Sequence, residues 1–154
     1  MINIFLISFL LSPVAMAKAY YAPKLEMIKE ADAIAIVNIT DTRSEKNQGR
    51  YYWFAKVATA EIEKSLKGNL PNKFEIYWDE DFKCANCKFL KGRQLVFLRK
   101  EAIQKWACSN WYLSVRPIDK DKIEWYQSNS GLGLSNQPLK TVIKDLETEL
   151  AIKK

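Results

Sequence analysis

Apolar and polar positions along this chain mostly alternate with a period of two, and the departures from that period mark where the elements change. Ala33 to Thr40 (Ala-Ile-Ala-Ile-Val-Asn-Ile-Thr) is β-branched and continuously apolar, which predicts a strand buried on both faces. Tyr51 to Glu63 predicts a long strand with Ala58, Ala60 and Ile62 on one face and Tyr51, Trp53 and Val57 on the other. Its apolar set changes parity midway, so a bulge or sharp bend is expected there. Leu66-Lys67-Gly68-Asn69 turns the chain into Lys73 to Trp78, where Phe74, Ile76 and Trp78 face one way and Lys73, Glu75 and Tyr77 the other. Arg93 to Arg99, carrying the run Leu95 to Leu98, is the central strand. Cys108 to Val115 predicts another, with Trp111, Leu113 and Val115 sharing a face.

Two segments shift to helical spacing. Lys24 to Ala31, after Pro23, carries Leu25, Ile28 and Ala31. Pro138 to Ile152 carries Leu139, Val142, Ile143, Leu146 and Leu150 on one stripe, and Ser135-Asn136 stands where it could cap that helix. Asp41 to Arg50, Asp79 to Lys91 and Asn129 to Asn136 read as loops, and Ile123 to Tyr126 is too short to assign. The expected fold is mainly β with flanking helices: a five-stranded closed barrel of the oligonucleotide/oligosaccharide-binding (OB) type with a C-terminal helix packed on it. The pattern alone does not separate this barrel from a small sandwich.

At 154 residues the chain fits one domain with a sizeable core. Its first 17 residues are uncharged, with an apolar run from Ile4 to Leu11, a break at Pro13 and the sequence Ala15-Met16-Ala17 before Lys18. They read as a signal peptide cleaved after Ala17, although Met1-Ile2-Asn3 lacks the usual basic residue. The expected organisation is therefore a signal peptide over 1–17 and a secreted or periplasmic domain over 18–154. No later run is long enough for a membrane span in the mature chain. Net charge is +6, a bias toward acidic partners, and the absence of histidine excludes a histidine triad, a Cys/His dyad and a His-bearing zinc site.

Several motifs in order resemble the netrin-like domains, the group that includes the tissue inhibitors of metalloproteinases and their bacterial relatives. Ala31-Asp32-Ala33-Ile34-Ala35-Ile36-Val37 is similar to the opening strand of that group, and Glu63-Lys64-Ser65-Leu66-Lys67-Gly68 to its strand-to-turn step. The Cys84/Cys87 pair, Phe89-x-x-Gly92-x-x-Leu95-Val96-Phe97 and Cys108-Ser109 resemble its cysteine–strand–cysteine core. The resemblance spans residues 31 to 115 and implies an OB barrel with a helix against it. It also implies a disulfide from one of Cys84 and Cys87 to Cys108, without saying which. The animal inhibitors chelate the protease zinc through a mature N-terminal cysteine. This chain has no cysteine before Cys84, so that device does not carry over.

The candidate chemistry is sparse. Cys84-Ala-Asn-Cys87 has the spacing of a redox-active pair, but no helix start follows it. A structural bridge to Cys108 is the commoner use in an exported domain and leaves one thiol over. The three cysteines with Asp81 make a poor zinc set, and Asp79-Glu80-Asp81 reads as a solvated loop, so neither metal nor cofactor is expected. Tyr51, Tyr52 and Trp53 are the candidate partner surface, since aromatic residues anchor interfaces. Arg50, Lys56, Lys73, Arg93 and Arg99 supply charge near the aromatics, yet charge is scattered and export disfavours nucleic acid as partner. The leading reading is a non-catalytic binding module that meets another protein, with inhibitor-like action on an extracellular or envelope protein as one form. The alternatives are a thiol-dependent redox protein using Cys84 and Cys87, and a polyanion-binding OB module.

Overall fold

A computed structural model of the chain describes residues 22–44, 54–80, 86–102, 105–128 and 133–152. The predicted signal segment, Tyr51, Tyr52, Trp53, Asp81 and Cys84 lie outside the described residues. The fold is mainly β. A short helix α1 (Lys24–Glu30) precedes β1 (Ala33–Ser44), β2 (Phe54–Lys67), β3 (Lys73–Glu80), β4 (Gly92–Ala102) and β5 (Lys105–Cys108). A 3-10 turn (Trp111–Ser114) leads to β6 (Val115–Asp119), β7 (Lys122–Tyr126), β8 (Leu134–Pro138) and helix α2 (Leu139–Ala151). The sheet order is β1-β2-β3-β5-β4-β6-β7-β8, and β1 also pairs with β4. That extra pairing closes β1, β2, β3, β5 and β4 into a five-stranded barrel. The β3–β5 contact is parallel and the others in the ring are antiparallel.

The unbroken apolar runs of β1 and β4 follow from this closure, because each strand has two interiors to fill. Ala33, Ala35, Val37 and Ile39 of β1, with Val96 and Leu98 of β4, point into the barrel against Ala58, Ala60, Phe74, Ile76 and Trp78. Ile34 and Ile36, with Leu95 and Phe97, point outward into a second core with Met27, Ile28, Trp125, Leu139, Val142 and Leu146. The two helices and the β6–β8 meander therefore cover one outer face of the barrel. Phe97 and Trp125 stack with ring centroids 6.1 Å apart in that outer core.

The Glu63 to Gly68 segment owes its sequence to this helical layer. Lys64 reaches Glu147 of α2 at 2.7 Å, and Leu66 packs into the outer core. Lys67 donates to the carbonyls of Ile28, Lys29 and Ala31, capping the last turn of α1 with a cation where unmatched carbonyls collect. Gly68 then turns at φ +75, and a Cβ there would sit 2.5 Å from the Asp32 carbonyl oxygen, so only glycine fits. The irregularities of β2 against β1 fall later than the expected midpoint, at Glu63 and Leu66, and the third shift places its extra residue, Thr40, in β1.

Three expectations are corrected. Cys108 to Val115 is not one strand: β5 ends at Cys108, Ser109 donates its N–H to the Phe97 carbonyl, and Trp111 takes φ +46 in a 3-10 turn. Trp111 consequently does not share a strand face with Leu113 and Val115, and its side chain is 37% exposed. The segment read as loop up to Asn136 contains β8, whose residues from Leu134 to Pro138 pair with β7 as a polar edge strand. Ser135 and Asn136 belong to that strand and do not cap α2. The Leu139 N–H donates instead to the carbonyl of Asp121, 2.8 Å away in the β6–β7 turn. Lys120 and Asp121 both take positive φ there, as a two-residue hairpin turn of the right twist requires.

Candidate functional site

The described residues 86–91 lead into β4. Cys87 and Phe89 enter the interior, where Phe89 meets Trp78 edge-on with centroids 5.9 Å apart. Gln94 donates to the Leu90 carbonyl at 2.7 Å and holds the returning chain. Cys87 is bonded to Cys108 across a sequence separation of 21, with 6.6 Å between the Cα atoms. Both half-cystines are buried, at 4% and 3% exposure. The pair that the sequence left open is thus Cys87–Cys108, and the residue left without a cysteine partner in this pairing is Cys84.

The charged residues near the aromatics are mostly engaged. Lys56 lies 4.8 Å from the centroid of the Trp78 ring and 3.1 Å from Asp79. Lys73 pairs with Glu61 at 3.1 Å, Arg93 with Glu63 and Asp121 at 2.8 and 2.6 Å, and Arg99 with Glu101. The side-chain bond to Asp121, and after it the bond to Glu63, raise the pKa of Arg93 above its ordinary value. The Lys56 and Lys73 pairs join β2 to β3, Arg93 reaches from β4 to β2 and to the β6–β7 turn, and Arg99 pairs within β4, so the described residues first nominated for a polyanion are all engaged, while Arg50 lies outside the described residues. Asp79 of the acidic cluster is likewise held by Lys56 and by Asn86. Among the described residues no group of three His, Cys, Asp or Glu side chains could hold a metal ion.

A concavity among the described residues lies elsewhere, where the barrel ring is thinnest. β3 pairs with β5 only at Ile76↔Trp106 and Tyr77↔Ala107. Below those pairs the seam opens into a groove of about 650 Å³ lined by Asn69 and Pro71 of the β2–β3 turn, Lys73 to Glu75 and Tyr77 of β3, and Lys100, Lys105 and Trp106 of the β4–β5 hairpin. Three lysines and one glutamate line it. Glu75 is engaged by Arg43 at 2.7 Å and by the Tyr77 hydroxyl at 3.0 Å, while the Lys105 ammonium lies 4.6 Å from the centroid of the Tyr77 ring. Neither Lys100 nor Lys105 is in an ion pair among the described residues.

Alternation along β3 already set Lys73, Glu75 and Tyr77 on one face, but it did not reveal this groove. It forms from residues brought together by a parallel pairing between strands that are distant in the chain. Lys100 and Lys105 carry no local signal, and Trp106 falls before the point where the next strand was expected to begin. No family model, no curated protein and no solved structure matches this chain.

Proposed function

We propose that the chain is an exported, non-catalytic binding module of netrin-like type whose partner, another protein, is met at the β3–β5 groove. The observation that carries this reading is the groove itself: a lysine-rimmed concavity on a rigid, disulfide-stapled barrel, beside an incompletely paired strand. Placing a site between two hydrogen-bonded elements restrains its geometry without any loop closure. Supporting the exported location, a buried disulfide suits an oxidising compartment, and no helix among the described residues is long and apolar enough to cross a membrane. Inhibitor-like action on an extracellular or envelope protein remains one form this binding would take.

A photo-crosslinking amino acid replacing Lys105 in the producing cells tests the proposal, with the same replacement at Lys140 on α2 as control. A discrete covalent adduct with one protein at position 105, absent at position 140, is the expected result. Adducts at both positions alike, or at neither, would remove the groove as the binding site.

A further inference from the structure

We infer that the groove takes an extended acidic segment of the partner protein as an added strand on β3, an inference that rests on reading the groove as the binding site. Among the described residues part of the β3 edge is unmatched, which points to a polypeptide. β3 is paired with β2 along its whole length, from Glu61↔Lys73 to Phe54↔Glu80, whereas its pairing with β5 begins only at Ile76. The Asn72 carbonyl accepts the Ile62 N–H of β2 at 2.9 Å. Main-chain groups alternate sides along a strand, so those of Lys73 turn away from β2 and toward the groove. A segment laid there can use them as another strand would.

The rim chooses the charge. Glu75 is held between Arg43 and Tyr77, and Lys73 is shared with Glu61, so the charges available to an incoming group are those of Lys100 and Lys105. In an extended segment, side chains two residues apart share a face and stand about 7 Å from one another. Carboxylates at alternate positions therefore present a row to the lysine rim. A sugar or a nucleobase would need an open aromatic face. Phe74 and Trp106 are 7% and 8% exposed, and the face of Tyr77 is occupied by Lys105. Charge complementarity and the free edge together select an acidic strand over a glycan or nucleic acid.

The test uses the oxidised full-length domain and a fluorescent, capped peptide of about nine residues alternating glutamate and threonine. A second peptide carries the same charges but is N-methylated along one edge, in two versions covering either edge. Dextran sulfate serves as a charge-only competitor. Saturable binding of the first peptide is expected, weakened about tenfold by Lys100→Glu with Lys105→Glu and about tenfold by N-methylation of one edge only. Circular dichroism and the intact disulfide report whether that double variant remains folded, and Lys140→Glu is the matched charge control. Equal binding of both N-methylated peptides, displacement of the peptide by dextran sulfate at equal charge with no edge effect, or no saturable binding would each overturn the inference. If the peptide fails while crosslinking at position 105 persists, only the acidic-strand assignment falls. If both fail, the groove is not a binding site.

Discussion

Lys24→Ala is expected to destabilise the domain by about 3 kcal/mol, the cost of leaving one buried and one half-buried carboxylate without their cation. Lys24 opens α1, and only 2% of its surface is exposed. Its ammonium lies 2.8 and 3.0 Å from the two carboxylate oxygens of Asp145 and 3.1 Å from Glu149. Those two residues stand four apart on α2, so they meet the same cation from one helix face. Asp145 also accepts the indole N–H of Trp125 at 2.7 Å. One lysine thus ties the N-terminal helix to the C-terminal helix and, through Asp145, to β7. Asp145 keeps about a third of its side chain exposed, which is why the lower part of the usual 3–5 kcal/mol range is expected. The effect should be strongly non-additive. Adding Asp145→Asn and Glu149→Gln to Lys24→Met removes the stranded charges and should recover part of the loss. Urea denaturation midpoints of the oxidised proteins check both statements. A Lys24→Ala change below about 1 kcal/mol, or a triple variant worse than the sum of its parts, would show that the cluster does not hold the helices.

Opening the Cys87–Cys108 bridge is expected to cost about 3 kcal/mol from released chain entropy alone. The bridge closes a segment with a sequence separation of 21, and its sulfurs lie among Trp78, Phe89 and Leu98 in the barrel interior. Losing it also frees Phe89 to leave that interior. Cys108→Ser should therefore lower the unfolding midpoint, and added reductant should then change that variant little. Cys84→Ser should leave the oxidised midpoint near that of the parent chain. The reverse order of the two variants would point to a working Cys84/Cys87 pair and favour the redox reading.

The sequence made the barrel legible wherever a residue's neighbours along the chain carried the signal. The continuous apolar run at Ala33 announced a strand buried on both sides and that at Leu95 a central strand, and both have two cores to fill. The stripe from Leu139 to Leu150 placed α2 within a residue of its bounds. What failed to show were features set by contacts distant in sequence. The α2 N-terminus is satisfied by the Asp121 carbonyl, so its nearby Ser135 and Asn136 misled. β8 is a strand only because β7 offers it a partner, since its own residues, Leu-Ser-Asn-Gln-Pro, have little strand preference. The 3-10 turn at Trp111 interrupts an apparently alternating run by a backbone choice that periodicity does not encode. The groove was illegible for the same reason. Lys100 and Lys105 read as surface lysines until the parallel β3–β5 pairing sets them in one groove with Lys73. The lysine of the Lys67-Gly68 step was visible as part of a turn, but its bonds to α1 belong to the tertiary fold.

The proposed export and the Cys87–Cys108 bridge together predict the mass and thiol count of the chain in the organism that produces it. The measurement is the intact mass of the natural product, with thiol alkylation before and after reduction, followed by mapping of the joined peptides. The expected result is a chain beginning at Lys18, one alkylated thiol without reduction, three after it, and a Cys87 peptide joined to a Cys108 peptide. Retention of residues 1–17 with all three thiols alkylated without reduction would contradict it, and would place the chain in a reducing compartment where neither the bridge nor an extracellular partner applies.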